Sequence, residues 1–206
     1  MARQVRSSKD AILGAARREF AARGFAGARV ESIARAAGCN KAMLFYYFSS
    51  KEKLYRAVLS RALGEIFAEI AGIVHEQLTP AEFMEKFPEI YVRFLARNLD
   101  LPRILVFDLV HRPENIAAAM TDILRANTDF RPQRFQDMIR SWHRQGLISE
   151  GDPLHFMLNV VSLSIFSFLA RPLVEAISGL KVQNDEAFCR ARIQSVVRIL
   201  KQGMLK

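Results

Sequence analysis

Residues 40 to 51 read Asn-Lys-Ala-Met-Leu-Phe-Tyr-Tyr-Phe-Ser-Ser-Lys, and they carry the chemistry of this chain. At about 100° per residue on a helix, Leu44 and Phe48 share one face, whereas Ala42, Met43 and Tyr46 point the opposite way, flanked by Phe45 and Tyr47. An outward face of this kind suits a groove better than water. A small Ala lets the backbone come close, Met and Phe reach thymine methyls, and tyrosine hydroxyls bond phosphates or base edges. Arg29, Asn40, Lys41 and Lys51 place donors where the phosphates flanking a major groove lie. The bland alternative for Phe45 and Tyr46 is a protein contact between two copies of the chain, and Lys53 and Arg56 read as solvated helix charges.

The distribution of charge points the same way. The 206 residues hold 30 Lys and Arg against 21 Asp and Glu, and residues 1–60 alone hold 12 against 4. A basic module on an almost neutral body implies that one end meets a polyanion. Half of the residues are hydrophobic and Gly and Pro are few, so disorder and low complexity are excluded.

The elements that position these residues follow from helical periodicity, since no segment alternates with period two. Ser7 or Ser8 is expected to cap a first helix through Ile12, Leu13, Ala16 and Phe20, with Gly24 at its stop. Val30, Ile33, Ala34 and Ala37 make a short second helix. Gly38-Cys39-Asn40 is then a helix-turn-helix corner, and Lys41 to Phe48 the second helix of the pair. Ser49 to Glu52 reads as a capping box opening a long helix towards Val74. Further starts are expected at Thr79-Pro80, near Pro102 and Pro113, after Pro132 and at Asp152-Pro153. Pro88 is expected to bend or divide its helix. The helix from Pro153 is expected to reach Ser178 with a kink at Pro172, and a last one to run from about Asp185 to Gln202. The fold class is all-α, with about nine or ten helices.

The stretch AILGAARREFAARGFAGARVESIARAAGCNKAMLFYYFSSKEKLYRAVL resembles the DNA-binding domain of the TetR family of transcriptional regulators. Phe20 with Gly24-Phe25, the segment Val30 to Gly38, and Lys41 to Phe48 followed by Ser50-Lys51-Glu52 carry the likeness. It implies a three-helix DNA-binding domain over residues 1–55, with the helix-turn-helix at about 29–48, and a helical effector-binding and dimerisation domain over 56–206. It also implies DNA contacts at Arg29, Asn40, Lys41, Ala42, Met43, Phe45, Tyr46, Tyr47 and Lys51. Arg29, Asn40, Ala42, Met43 and Tyr47 depart from the residues common in the family, so the operator sequence does not carry over. The implied activity is that of a homodimeric repressor on a pseudo-palindromic double-stranded operator, released by a small effector.

The body contains no ligand motif. Met120, Phe135, Met138 and Met157 supply adaptable apolar surface together with the selected pocket candidates Phe94, Phe107, His111, Trp142 and Phe166. They favour a hydrophobic or aromatic effector, although core packing competes for each of them. Leu158, Val161 and Ile165 on one late helix and Ile193, Val197 and Leu200 on the last are the expected dimer surface. Cys39 and Cys189 suit a reducing cytoplasm, no apolar leader opens the chain, and no metal or cofactor is expected. The apolar run from Leu154 to Ala170 is broken by His155, Asn159 and serines and reads as a buried helix rather than a span. No phosphate loop, zinc-protease motif or nucleophile elbow occurs, and the four histidines are scattered, which argues against an enzyme.

Overall fold

The structure is a computed structural model that describes residues 2–76, 78–126, 131–179 and 186–206, with the backbone alone for 2–7. Among these residues the chain is helical: α1 (Ala2–Gly27), α2 (Val30–Ala36), α3 (Lys41–Phe48), α4 (Lys51–His75), α5 (Pro80–Arg97), α6 (Leu101–His111), α7 (Pro113–Ala126), α8 (Pro132–Arg144), α9 (Pro153–Leu169), α10 (Arg171–Ser178) and α11 (Glu186–Met204). The extended pairing described is one antiparallel bridge between Ile148 and Leu205, so the all-α expectation holds.

The differences lie at helix ends. α1 begins at Ala2 and runs straight through Ser7 and Ser8, so neither caps it. Gly24, with φ 64° and ψ 175°, does break the helix as expected, in a conformation that an L side chain resists. Ser50, not Ser49, opens α4. Its Oγ accepts the Lys53 N–H at 3.2 Å, while Ser49 sits at φ 62° as the residue ending α3. Pro88 does not divide α5. Loss of one N–H is tolerated there because Phe83, Met84 and Phe87 bury the turn on which it stands. Thr79 and Glu82 start α5 with a reciprocal capping box, at 3.3 Å and 2.8 Å. The helix from Pro153 ends at Ala170, and α10 leaves at 61°, with Pro172 in its first turn. Asp185 lies outside the described residues.

The helices form two compact units that are discontinuous in sequence: residues 1–65 with 103–126, and 66–102 with 127–206. α4 contributes to both, so the expected boundary after residue 55 falls inside a continuous helix.

In the first unit, Ile12, Ala16, Phe20, Ile33, Leu44, Phe48, Leu54 and Leu59 are buried. Tyr55 is the hinge of an aromatic cluster, set edge-on to Phe20 at 4.7 Å and to Phe25 at 5.1 Å. Arg56 of α4 grips Asp122 of α7 with two hydrogen bonds of 2.6 Å. Asp108 on α6 is fully buried, and neither of its oxygens has a hydrogen-bond partner among the described residues. Loss of solvent pushes its carboxyl above the usual carboxylate range, against the opposing pull of Tyr55, Asn115 and Arg112 around it.

A carboxyl raised in the native state binds its proton more tightly there than in the unfolded chain. Its stabilising contribution is complete below about pH 4 and is lost as pH climbs through the native value. Asp108→Asn is therefore expected to be more stable than the parent at pH 7, with the advantage shrinking towards pH 4. Urea melts at the two pH values measure this, and a difference that did not change with pH would contradict it.

In the second unit, α5 packs against α9 and α11, and α8 against α9. Phe83 is fully buried at its centre, among the rings of Phe87, Phe135, Trp142 and Phe156 at 5.4 to 6.1 Å. Arg192 of α11 donates to the Leu163 carbonyl on α9, and the Ser149 N–H donates to the Met204 carbonyl at 2.8 Å, which ties the chain's last residues to the turn after α8.

Candidate nucleic-acid interface

The interface is built on the corner between α2 and α3. The Gly38 N–H reaches the Arg35 carbonyl at 3.1 Å and the Cys39 N–H reaches the Ala34 carbonyl at 2.9 Å. These two bonds close α2 in a Schellman motif, with Gly38 in the left-handed region at φ 69° that the motif needs. Two residues on, Asn40 caps α3 by accepting the Met43 N–H at 2.8 Å. Leu44 and Phe48 then anchor α3 in the core of the first unit.

The anchoring fixes which residues face outward. Lys41, Ala42 and Met43 are exposed, Tyr46 is 83% exposed, and Phe45 and Tyr47 are half-buried beside it. Tyr46 and Tyr47 meet edge to face at 5.4 Å, which steadies a ring that core contacts do not hold. This is the surface that the spacing of residues 40 to 51 predicts.

The surrounding cations differ in how free they are. Arg29 precedes α2 with its side chain exposed, and its backbone N–H donates to Glu19 at 3.2 Å. Lys41 pairs with Glu31 at 2.5 Å and lies 5.8 Å from the Phe45 ring. That bond holds the Glu31 carboxyl below the usual carboxylate range. Lys51 is half-buried. Its ammonium donates to the Ala26 carbonyl at 3.3 Å and stands 4.7 Å above the Phe25 ring, whose ring Arg112 also approaches to 4.0 Å. Lys51 thus fastens the last turn of α1, beyond the break at Gly24, as well as offering charge. Glu31 and Arg112 were not legible as parts of this site: the Lys41–Glu31 pair depends on the angle at which α3 leaves the corner after α2, and Arg112 comes from an element distant along the chain.

Residues 12–58 match the bacterial regulatory proteins of the tetR family. The helix-turn-helix segment is of the TetR type. The chain is 29% identical to the HTH-type transcriptional regulator RutR of Escherichia coli K12, over 98% of its own length and 92% of that protein's. It is 27% identical to the HTH-type transcriptional repressor NicS of Pseudomonas putida, over 80% and 77%. AibR, solved in complex with isovaleryl coenzyme A and operator DNA, shares its fold at a TM-score of 0.68 and 18% identity, covering 93% of this chain and 97% of that one. With this segment and these relatives, the chain is a DNA-binding transcriptional regulator and not an enzyme.

The candidate effector residues are scattered. Phe94 and Trp142 are buried in the second unit. Phe107 and His111 belong to the first unit and stack on each other at 4.6 Å on the exposed side of α6, while Phe166 on α9 is 63% exposed. None of the five lines a cavity of about 290 Å³ found among the described residues of the second unit. Phe67, Ile70, Phe87, Pro132, Phe135, Gln136, Arg140, Asp152, Pro153, Leu154 and Met157 line it. Phe135 and Met157 belong to the wider apolar set apparent in the sequence. The remainder required knowing how α4, α5, α8 and α9 meet.

Of the six dimer candidates, Leu158 is 52% exposed and Val161, Ile165, Ile193 and Val197 are half-buried. Leu200 is a correction, since it is buried within its own chain. Among the described residues no single helix is long and apolar enough to cross a membrane.

Proposed function

We propose that this protein is a ligand-responsive repressor that binds a pseudo-palindromic operator as a homodimer. The observation that carries the reading is the outward surface of α3, with its small, apolar and tyrosine side chains among exposed cations. In this reading α3 lies in the major groove, Ala42, Met43, Phe45, Tyr46 and Tyr47 face the bases, and Arg29, Asn40, Lys41 and Lys51 hold phosphates. Pairing through α9 and α11, using Leu158, Val161, Ile165, Ile193 and Val197, sets two copies of α3 one helical turn apart, roughly 34–36 Å. A small hydrophobic or aromatic effector acts through α4, the helix common to both units, and shifts the equilibrium by its differential affinity for the two spacings. The names of RutR and NicS and the DNA complex of AibR support this reading.

Operator fragments selected from random sequence, titrated by fluorescence anisotropy at several salt concentrations, test it. Affinity is expected to fall steeply between 50 and 200 mM salt, as release of counterions from several phosphates requires. Sedimentation should give about twice the 23.4 kDa chain. A flat salt response, or a monomer that binds a single half-site fully, would overturn the proposal.

A further inference from the structure

The cavity in the second unit carries a chemistry more specific than apolar shelter. We infer that it binds a small carboxylate with a body about one ring in size, enclosed by Phe87, Phe135 and Met157 and held at its charged end by Arg140. The inference rests on the ligand-responsive reading above and narrows it to a ligand class.

Size comes first. At about 290 Å³ the space lies at the lower edge of the ~300–1,000 Å³ common for small-molecule sites. It admits a single-ring body. Rigidity comes next. Phe87 and Phe135 both pack on the fully buried Phe83, at 5.4 and 6.1 Å, so the aromatic wall is set before any ligand arrives.

Charge decides the class. Gln136, Arg140 and Asp152 are the polar lining residues. Asp152 is already committed: its Oδ1 accepts the Leu154 N–H at 2.8 Å, and it stands at the positive end of the 17-residue α9, which offsets its charge. Among the described residues the ion pair of Arg140, itself half-exposed, is a long contact of 4.0 Å to Asp137, which is two-thirds exposed. The guanidinium is therefore the cation available to a ligand, and its planar donors match a carboxylate in two-pronged fashion. Gln136, one turn before Arg140 on α8, adds a neutral donor and acceptor.

The test uses the full chain and calorimetric titration with benzoate and cyclohexanecarboxylate, each against its amide. At least one carboxylate is expected to bind ten times more tightly than its amide. Arg140→Gln should remove that preference while leaving amide binding unchanged, and Met157→Trp, which fills the space, should abolish both. The inference is overturned if no carboxylate is preferred, if Arg140→Gln keeps the preference, or if Met157→Trp still binds. Operator affinity measured on the same samples separates the two readings. A carboxylate that binds through Arg140 without changing operator affinity sinks the ligand-responsive reading alone. Operator release by neutral compounds, indifferent to Arg140, sinks this inference alone.

Discussion

A Tyr46→Ala variant is expected to bind operator about 1–3 kcal/mol more weakly than the parent while folding normally. Tyr46 is the most exposed aromatic on α3, and its ring touches Tyr47 rather than the core, so truncation costs the fold little. Lys41→Ala should weaken binding too, but with a different signature. If Lys41 holds a phosphate, its loss lowers affinity alike on all sequences and reduces the salt slope by about one per site, whereas Tyr46→Ala leaves the slope intact and relaxes base preference. Glu31 sharpens the comparison. In Lys41→Ala its carboxylate is left without the ammonium that stands 2.5 Å away, so adding Glu31→Ala should restore part of the lost affinity. Anisotropy titrations of the three variants at two salt concentrations read all of this. Unchanged affinity in Tyr46→Ala would place the base-reading surface elsewhere.

The largest effect on stability is expected at Phe83. Its side chain is fully buried among four aromatic rings contributed by α5, α8 and α9, and those helices cannot close on the volume left by alanine. A loss of about 3–5 kcal/mol should follow, a large share of the 5–15 kcal/mol common for a folded domain. Phe83→Leu, which keeps most of the volume, should recover most of the loss. Equilibrium urea unfolding followed by Trp142 fluorescence suits the measurement, because the indole packs on Phe83 at 5.6 Å. A loss under 1 kcal/mol would mean that the aromatic cluster is not the centre of that unit.

The TetR-type interface was legible because every device that shapes it is local. The Schellman turn at Gly38 spans six residues, the Asn40 cap reaches three residues ahead, and the inward face of α3 follows from the four-residue spacing of Leu44 and Phe48. Where two local solutions compete, the sequence is less decisive. Ser49 and Ser50 are equally good caps in composition, and the choice of Ser50 follows from the chain having to reverse at φ 62° after Phe48. Pro88 is a helix breaker by its own chemistry, yet α5 continues through it because burial of Phe87 and Val92 on either side outweighs one missing hydrogen bond.

The body was read less well, for the reason that ligand and interface surfaces are made by residues far apart in the chain. Phe94, Trp142 and Leu200 have the composition of pocket or interface residues and are consumed by the core instead. Arg140 and Asp152 look like ordinary surface charges, and only the meeting of α8 with α9 makes them the polar end of a cavity. By itself, then, the sequence determined the helical class, the second helix of the helix-turn-helix and its orientation, because hydrogen bonds and periodicity act within a few residues. Which apolar side chains remain open to a partner or ligand was decided by tertiary packing, since burial is a property of neighbours that the chain brings together only on folding.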